Sequence, residues 1–481
     1  MAKTSAASIW RDGWAPGGGK PQDPAEPVLK KAPDQEAAPG ENQEEPSHKN
    51  PAFPTRPKPK ALQDIGIPEF FVADLTLKHC FYLNFFTIGE LTARLKLAPN
   101  LITPVLDYLR QEKFLELRGP DPLKPAANAL GLANRYVLTE GGKKRAAQLL
   151  EYDAYVGPVP VNLEDYWQQV KSQGIGQSRI LRTRLEKVFE DMVLTPDLLG
   201  KLGPALMSGK PLFLYGPPGN GKTSIALRLG EIWEDIILTP YALYVEGSII
   251  RIFDEISHRA VQVNGNGNGN GNGNGGLEHD SRWVFCRRPA VIVGGELTLE
   301  TLDLAYNPTL KYYEAPLQLK ANNGLFIVDD LGRQQIKPQE LLNRWIIPLE
   351  NQKDYLGLHT GQKFAIPFEQ FLIFATNLEP RSLMDESFLR RIRSKVKVNH
   401  VGREQFLEIF RLVCQTYKIK YDDQIADYLV SHYYGEDQRA MNACHPRDLV
   451  EQILDYCSFN ELPPVLTRDN LDRACQVYFV D

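Results

Sequence analysis

The chain has 481 residues, of which 43% are hydrophobic and 24% are charged, and its formal net charge is −5. A chain of this length has room for about three domains, each with a core of its own. The small negative charge excludes a general electrostatic attraction to nucleic acid or to anionic membranes as the basis of function.

The six cysteines are scattered along the chain and form no CxxC pair. This spacing indicates neither a disulfide framework nor a zinc site, and it favours reduced, buried thiols. The N-terminus lacks the apolar stretch of a secretory signal, and no apolar run approaches the roughly 18 residues of a membrane span. We therefore expect a cytoplasmic protein with no membrane partner.

Residues 1–62 form a proline-rich tail. The first 60 residues contain eleven prolines and few aliphatic side chains. Such a segment cannot bury enough apolar surface to offset the entropy of ordering, so we predict that the tail is disordered.

The pattern changes to that of a folded domain at residues 63–155. Thr87 and Glu90 form a capping-box pattern before one helix, and Asn100 lies at the start of the next. Two strand-like segments, 114–117 and 135–138, are separated by a Pro- and Ala-rich loop and followed by a helix from about residue 143 to 151. In this order of elements, residues 65–151 resemble a winged helix-turn-helix domain.

The charge of this winged-helix-like region is close to balanced, with 11 Lys/Arg and 9 Asp/Glu between residues 61 and 150. Arg110 is the only basic residue of the second helix of the motif before Lys113. DNA-binding domains usually carry a denser basic face, because phosphate contacts dominate their affinity. We expect a role in protein docking or assembly, with binding of duplex DNA as the alternative.

A glycine-rich loop follows a linker predicted at residues 156–185. Residues 216–223 read GPPGNGKT, after the apolar run 211–215 and before a helix-forming stretch that begins at Ser224. The glycines allow a tight turn whose N–H groups face an anion, and the helix N-terminus adds positive potential. Lys222 supplies a charge for the β- and γ-phosphates of a nucleoside triphosphate, and the Thr223 hydroxyl is a ligand for Mg²⁺.

Residues 264–276 contain a strict Asn-Gly alternation, which predicts a flexible surface loop. The segments on either side, 241–253 and 283–285, alternate like strands. We predict that these two segments pair with each other across the loop.

Two further apolar runs end in polar residues. Residues 324–330 form a strand pattern that ends in Asp329 and Asp330, and residues 370–377 form another that ends in Asn377. Asp329 stands where a carboxylate would organise Mg²⁺, and Asp330 where one would polarise the attacking water. Asn377 is a candidate to hold that water. Arginines follow at 390 and 391, and Arg447 begins a helix in an all-helical C-terminal region.

Together these motifs resemble the AAA+ ATPases over residues 186–481: Walker A at 216–223, Walker B at 325–330, sensor 1 at Asn377, an arginine finger at 390–391 and sensor 2 at Arg447. The resemblance implies an α/β class with a three-layer nucleotide-binding domain at 186–400 and an α-helical lid at 401–481. It also implies ATP and Mg²⁺ as ligands and a homo-oligomeric ring, most often a hexamer. Arg447 would act in its own subunit, whereas Arg390 or Arg391, preferably Arg391, would act on the neighbour's nucleotide.

One departure from the family concerns Walker B, which ends in Asp-Asp where most members have Asp-Glu. The shorter side chain predicts looser positioning of water and slower turnover. The function expected is ATP-driven remodelling of a protein partner, and the alternative is a DNA-associated regulator of the initiator, loader or transcription-activator type. The nucleotide-binding candidates are Gly216, Pro217, Pro218, Gly219, Asn220, Gly221, Lys222, Thr223 and Ser224, the Mg²⁺ ligands are Thr223 and Asp329, and the catalytic candidates are Asp330, Asn377, Arg390, Arg391 and Arg447.

Overall fold

The structure is a computed structural model that describes residues 54–120, 134–177, 180–262, 279–435 and 439–479. Residues 1–53 of the tail and the predicted Asn-Gly loop lie outside the described residues, so the predictions for them are not tested. Residues 54–62 of the tail are described, and the expectation of disorder is wrong for them, because Arg56 pairs with Asp165 and lies over the ring of Trp283. None of the helices in the described ranges combines the length and the apolar character that crossing a bilayer requires.

The first part of the described chain is mainly helical. Thr87 caps its second helix, because its Oγ1 accepts a hydrogen bond from the Glu90 amide at 3.2 Å and the Glu90 carboxylate accepts one from the Thr87 amide at 2.9 Å. The capping box indicated by the sequence is therefore formed, whereas the winged-helix assignment stays a prediction. The elements are α1 (Glu69–Phe81), α2 (Ile88–Leu95), α3 (Pro99–Gln111), the antiparallel pair β1 (Leu115–Pro120) and β2 (Asn134–Leu138), and α4 (Glu140–Tyr152).

The middle of the chain alternates strands and helices. Its strands are β3 (Val161–Asn162), β4 (Leu212–Tyr215), β5 (Ile236–Pro240), β6 (Ala242–Val245), β7 (Ser248–Arg251), β8 (Trp283–Arg287), β9 (Ala290–Val293), β10 (Ala305–Tyr306), β11 (Tyr313–Glu314), β12 (Leu325–Val328), β13 (Lys353–Gly357), β14 (Lys363–Pro367), β15 (Phe371–Thr376) and β16 (Ser394–Lys397). Its helices are α5 (Leu163–Ser172), α6 (Arg182–Val188), α7 (Pro196–Met207), α8 (Lys222–Leu229), α9 (Leu317–Lys320), α10 (Pro338–Asn351), α11 (Pro380–Leu383) and α12 (Glu386–Arg391).

A five-stranded parallel sheet forms the centre of this α/β region, with the strand order β9-β12-β15-β4-β16. Side chains alternate between its two faces. Ile327 of β12 enters a core with Ile225 of α8, whereas Phe326 enters another core, where its ring lies 5.6 Å from that of Trp345 on α10. Because β15 lies between β4 and β12, the polar residues that follow these three strands meet at one edge of the sheet.

The predicted pairing of segments 241–253 and 283–285 is wrong. Residues 241–253 fold back on themselves as the antiparallel pair β6–β7, and β8 pairs with β5 instead. The cause is the tight turn at Glu246 and Gly247, whose φ angles are +49° and +81°. This turn pairs β6 with β7, its neighbour in sequence, and β8 therefore pairs with β5, the strand that precedes β6.

Residues 156–185, expected to be a linker, contain packed structure. β3 joins the mixed sheet β10-β11-β7-β6-β3, and Tyr166 and Val170 of α5 are buried against it. The mixed sheet also carries the N-terminal helices, since the rings of Phe71 and Tyr244 lie 4.8 Å apart. The alternation of apolar residues in 159–170 explains why this segment packs rather than forming a tether.

The C-terminal region is helical. Its core consists of buried apolar side chains from all its helices, among them Phe406, Leu429 and Ile453. The elements are α13 (Arg403–Thr416), α14 (Asp423–Leu429), a π-helical segment (Val430–Gly435), α15 (His445–Phe459) and α16 (Arg468–Tyr478).

Candidate nucleotide-binding site

The glycine-rich loop connects β4 directly to α8, which begins at Lys222. Gly216, Gly219 and Gly221 have φ angles of +139°, +75° and +78°, values that favour glycine. A Cβ on Gly216 would also lie 2.1 Å from the carbonyl oxygen of Val398. The loop can therefore wrap around an anion at the start of α8 only with glycine at these positions.

Lys222 points into the loop and is only 7% exposed. Its Nζ donates hydrogen bonds to the carbonyl oxygens of Gly216 at 2.9 Å and Pro217 at 2.8 Å. Burial lowers the pKa of Lys222, and the nearby carboxylates of Asp330 and Asp329 oppose that shift. The ammonium is thus held where phosphate oxygens would replace the loop carbonyls as its partners.

Thr223 and Asp329 contact each other across the site. The Thr223 hydroxyl donates to the carboxylate of Asp329, with Oγ1 3.0 Å from Oδ1 and 2.9 Å from Oδ2. Burial raises the pKa of Asp329, and the hydrogen bond from Thr223 works against that shift. A hydroxyl and a carboxylate beside a phosphate loop fit Mg²⁺, which usually takes one or two protein carboxylates together with substrate phosphates and water.

Asp330 and Asn377 form a second polar pair. The Asn377 side-chain amide donates to Oδ1 of Asp330 at 3.2 Å. Asp330 has a φ angle of +48°, a left-handed conformation that Asp adopts more readily than most residues. The pair lies beside Lys222 and Asp329, and this arrangement can orient a water molecule next to a bound phosphate.

These residues border one cavity of about 850 Å³, a volume that suits a nucleotide. Gly216 and Pro217 do not border it, but their carbonyl groups accept hydrogen bonds from the Lys222 ammonium. Of the candidates, the cavity lining includes Pro218, Gly219, Asn220, Gly221, Lys222, Thr223, Ser224, Asp329, Asp330, Asn377 and Arg447.

The cavity lining also includes apolar side chains that were not anticipated from the sequence: Met192, Val193 and Leu194, which precede α7, and Ile409 and Val413 of α13. Ligand pockets are lined mainly by apolar side chains, so these residues could contact the base of a nucleotide. Arg333, which follows the Asp329–Asp330 pair, also borders the cavity and was likewise missed.

The helical C-terminal region contacts the glycine-rich loop directly. The side-chain amide of Asn220 donates to Asn442 Oδ1 at 3.1 Å and accepts from the Ala443 amide at 3.2 Å, and the Cys444 amide donates to the Gly219 carbonyl at 2.9 Å. Arg447 follows these contacts on α15. Its side chain is 60% exposed and borders the cavity. Its Nη2 lies 3.4 Å from Asp448.

Arg390 and Arg391 lie apart from this cavity, at the end of α12. Arg390 is exposed, whereas Arg391 contacts Glu350 of α10, with Nε 2.7 Å and Nη2 2.6 Å from Oε1. Neither arginine borders the nucleotide cavity of its own chain.

Comparisons with known proteins give a partial family match and distant structural similarities. Residues 402–477 match the family model described as "Domain of unknown function (DUF8689)", which covers most of the helical C-terminal region. No curated protein matches the chain.

Among solved structures, the chain is similar to NtrX from Brucella abortus in complex with ADP, at 15% identity over 60% of this chain and 56% of that chain, with a TM-score of 0.35. The chain thus spans little more than half the length of NtrX. It is also similar to the RuvB Holliday junction branch migration motor of Thermotoga maritima, at 12% identity over 64% of this chain and 74% of that chain, with a TM-score of 0.33.

Proposed function

We propose that the chain is an ATPase of the AAA+ type that hydrolyses Mg²⁺-ATP at shared sites of a homo-oligomeric ring and uses the energy to remodel a protein partner. The observation that carries the proposal is the meeting of Lys222, the Thr223–Asp329 pair and the Asp330–Asn377 pair in one cavity. Each of these groups has a distinct role in phosphoryl transfer.

In this mechanism the amides of residues 219–223 and the Lys222 ammonium bind the β- and γ-phosphates. Thr223 and Asp329 would hold Mg²⁺, which would neutralise charge on the phosphate oxygens. Asp330 and Asn377 orient a water molecule in line with the γ-phosphate, and the Asp330 carboxylate accepts its hydrogen bond. Arg447 contributes positive charge from the lid. Positioning and electrostatic stabilisation therefore account for the catalysis.

The proposed ring rests on the two arginines of α12. Because Arg390 and Arg391 lie outside their own chain's cavity, they can contribute to hydrolysis only at a neighbouring chain's site. Arginine fingers of this kind contribute about 10³–10⁵ in rate in related phosphate-loop enzymes. A mixture of Arg391→Ala chains with Lys222→Ala chains should regain activity that neither has alone. Mixtures without any gain at saturating ATP would exclude shared sites.

A protein partner is favoured over DNA by the surface of α3. Arg110 lies 3.5 Å from Asp107 on the same helix, and the Asn100 side-chain amide donates a hydrogen bond to the Lys60 carbonyl at 3.1 Å. These contacts leave few groups on α3 for phosphates. Sequence-selective, nanomolar binding of the full chain to duplex DNA at physiological salt would instead favour the DNA-associated regulator.

Nucleotide binding can be tested by calorimetry on the full chain and on Lys222→Ala. The substitution removes the cation of the loop, so we expect ATP binding to be lost. The matched control is Lys143→Ala, which removes an exposed lysine paired with Glu140 on α4, away from the cavity lining. Equal ATP affinity in the Lys222→Ala chain would contradict the assignment of the loop.

A further inference from the structure

The turn after β12 carries the water-activating carboxylate in an unusual backbone conformation. Asp330 has a φ angle of +48° and Gly332 one of +107°, so two of three consecutive residues have positive φ angles. A residue other than glycine in this region costs about 1–2 kcal/mol, and surrounding contacts must therefore hold it. Since the direction of the Asp330 side chain follows from its backbone, these contacts also determine where its carboxylate lies.

One side of the turn is anchored to the central sheet. The Leu331 amide donates to the Ala375 carbonyl of β15 at 2.9 Å, and the Thr376 hydroxyl donates to the Leu331 carbonyl at 2.7 Å. Leu331 is itself buried in the core. Two more backbone bonds hold the turn: the Asp329 amide donates to the Val293 carbonyl of β9 at 2.8 Å, and the Arg333 amide donates to the Asp330 carbonyl at 3.0 Å.

Gln334 adds side-chain contacts to the same turn. Its Nε2 donates to the carbonyl oxygens of Asp329 at 2.9 Å and Asp330 at 3.2 Å, and its Oε1 accepts from the Gly332 amide at 2.8 Å. A single side chain thus bridges three backbone groups of the turn. Only a primary amide can do this, because the site requires a donor and an acceptor on the same planar group.

We propose that Gln334 is a positioning residue that holds the Asp330 carboxylate at the distance required for activating water. Its effect would offset the missing methylene of the Asp-Asp motif, since the clamped left-handed turn determines how far the shorter side chain reaches toward Asn377. The inference rests on the proposed ATPase function. Gln334 itself does not border the nucleotide cavity and acts through the backbone.

The test compares steady-state hydrolysis and ADP affinity of the full chain with those of Gln334→Met and Gln334→Glu. Methionine has a similar volume and no hydrogen-bonding amide, whereas glutamate keeps an acceptor for the Gly332 amide and loses the donor to both carbonyls. We expect both variants to lower kcat about 10- to 100-fold, the cost of a misplacement of about 1 Å, with little change in KM or ADP affinity. The control is Gln339→Met, which removes an exposed contact to Asp385.

The possible outcomes separate the two proposals. A wild-type chain that binds ATP without hydrolysing it would overturn the ATPase proposal, and with it this inference. An active wild-type chain with unchanged kcat in both Gln334 variants would overturn the positioning role alone. Equal losses of kcat and nucleotide affinity would likewise overturn it, because they would indicate a general structural role. Full activity in Gln334→Glu would show that the donor contacts are not required.

Discussion

The role of Asp330 can be tested with a substitution that changes its charge and little else. Asparagine has the shape of aspartate, tolerates the φ angle of +48°, and keeps an oxygen for the 3.2 Å hydrogen bond from Asn377. Asp330→Asn should therefore fold normally and bind ATP at least as tightly, because one negative charge leaves a cavity that receives phosphates.

The expected loss lies in turnover. Removing a group that orients and polarises water typically costs about 10²–10⁴ in rate, which corresponds to about 3–5 kcal/mol in the activation barrier. The assay is single-turnover hydrolysis with the chain in excess over ATP, combined with calorimetric binding. Glu408→Gln serves as the control, because it removes a carboxylate from an exposed pair with Arg411 on α13. Wild-type turnover in Asp330→Asn would refute the assignment and move the role to another residue.

Three other perturbations probe stability and the Asn-Gly segment. Arg282→Met should lower the free energy of unfolding by about 3–5 kcal/mol, because Asp280, only 2% exposed, loses its partner in a buried ion pair. Lys201→Ala, which breaks an exposed ion pair with Asp197, should lower it by less than about 1 kcal/mol. Burial lowers the pKa of His445 to about 4, so its contribution to stability is complete above pH 6.5 and is lost as pH falls from there toward 4. Denaturant unfolding across this pH range should show a shallower decline in His445→Gln. Removal of residues 264–275 should leave ATP turnover unchanged, because each doubling of a flexible loop costs only about 0.6 kcal/mol.

Each of these expectations has a contrary result. Equal stability of Arg282→Met and the parent chain would mean that Asp280 finds water or another donor. Identical acid profiles with and without His445 would show that its neutral form is not what the fold requires. A deletion of residues 264–275 that abolishes ATP turnover would show that these residues are required for activity or for folding.

The central sheet and the turn of the glycine-rich loop into α8 could be predicted because their signals are local. β12 is apolar along its whole length and β15 is apolar up to Thr376, and a polar residue follows each strand, so Asp329 and Asn377 are brought to the same edge of the sheet. Lys222 and Thr223 follow from glycine spacing at a strand-to-helix junction. These parts of the site require no knowledge of distant contacts.

Other parts depend on contacts between residues far apart in the chain. Asn220 and Asn442 are separated by 222 positions, and nothing in either local sequence indicates their hydrogen bond. The apolar residues of the cavity lining likewise come from two distant parts of the chain, the segment before α7 and α13. The wrong pairing of β8 has the same origin, because alternation identifies a strand without identifying its neighbour.

The most direct test of the account is the release of phosphate from ATP by the purified full chain, measured with Mg²⁺ and again with an excess of chelator. We expect steady release that requires Mg²⁺, rises more than linearly with protein concentration as shared sites form, and is absent in Lys222→Ala. A full chain that binds ATP but releases phosphate no faster than the Lys222→Ala variant at any protein concentration would contradict the account.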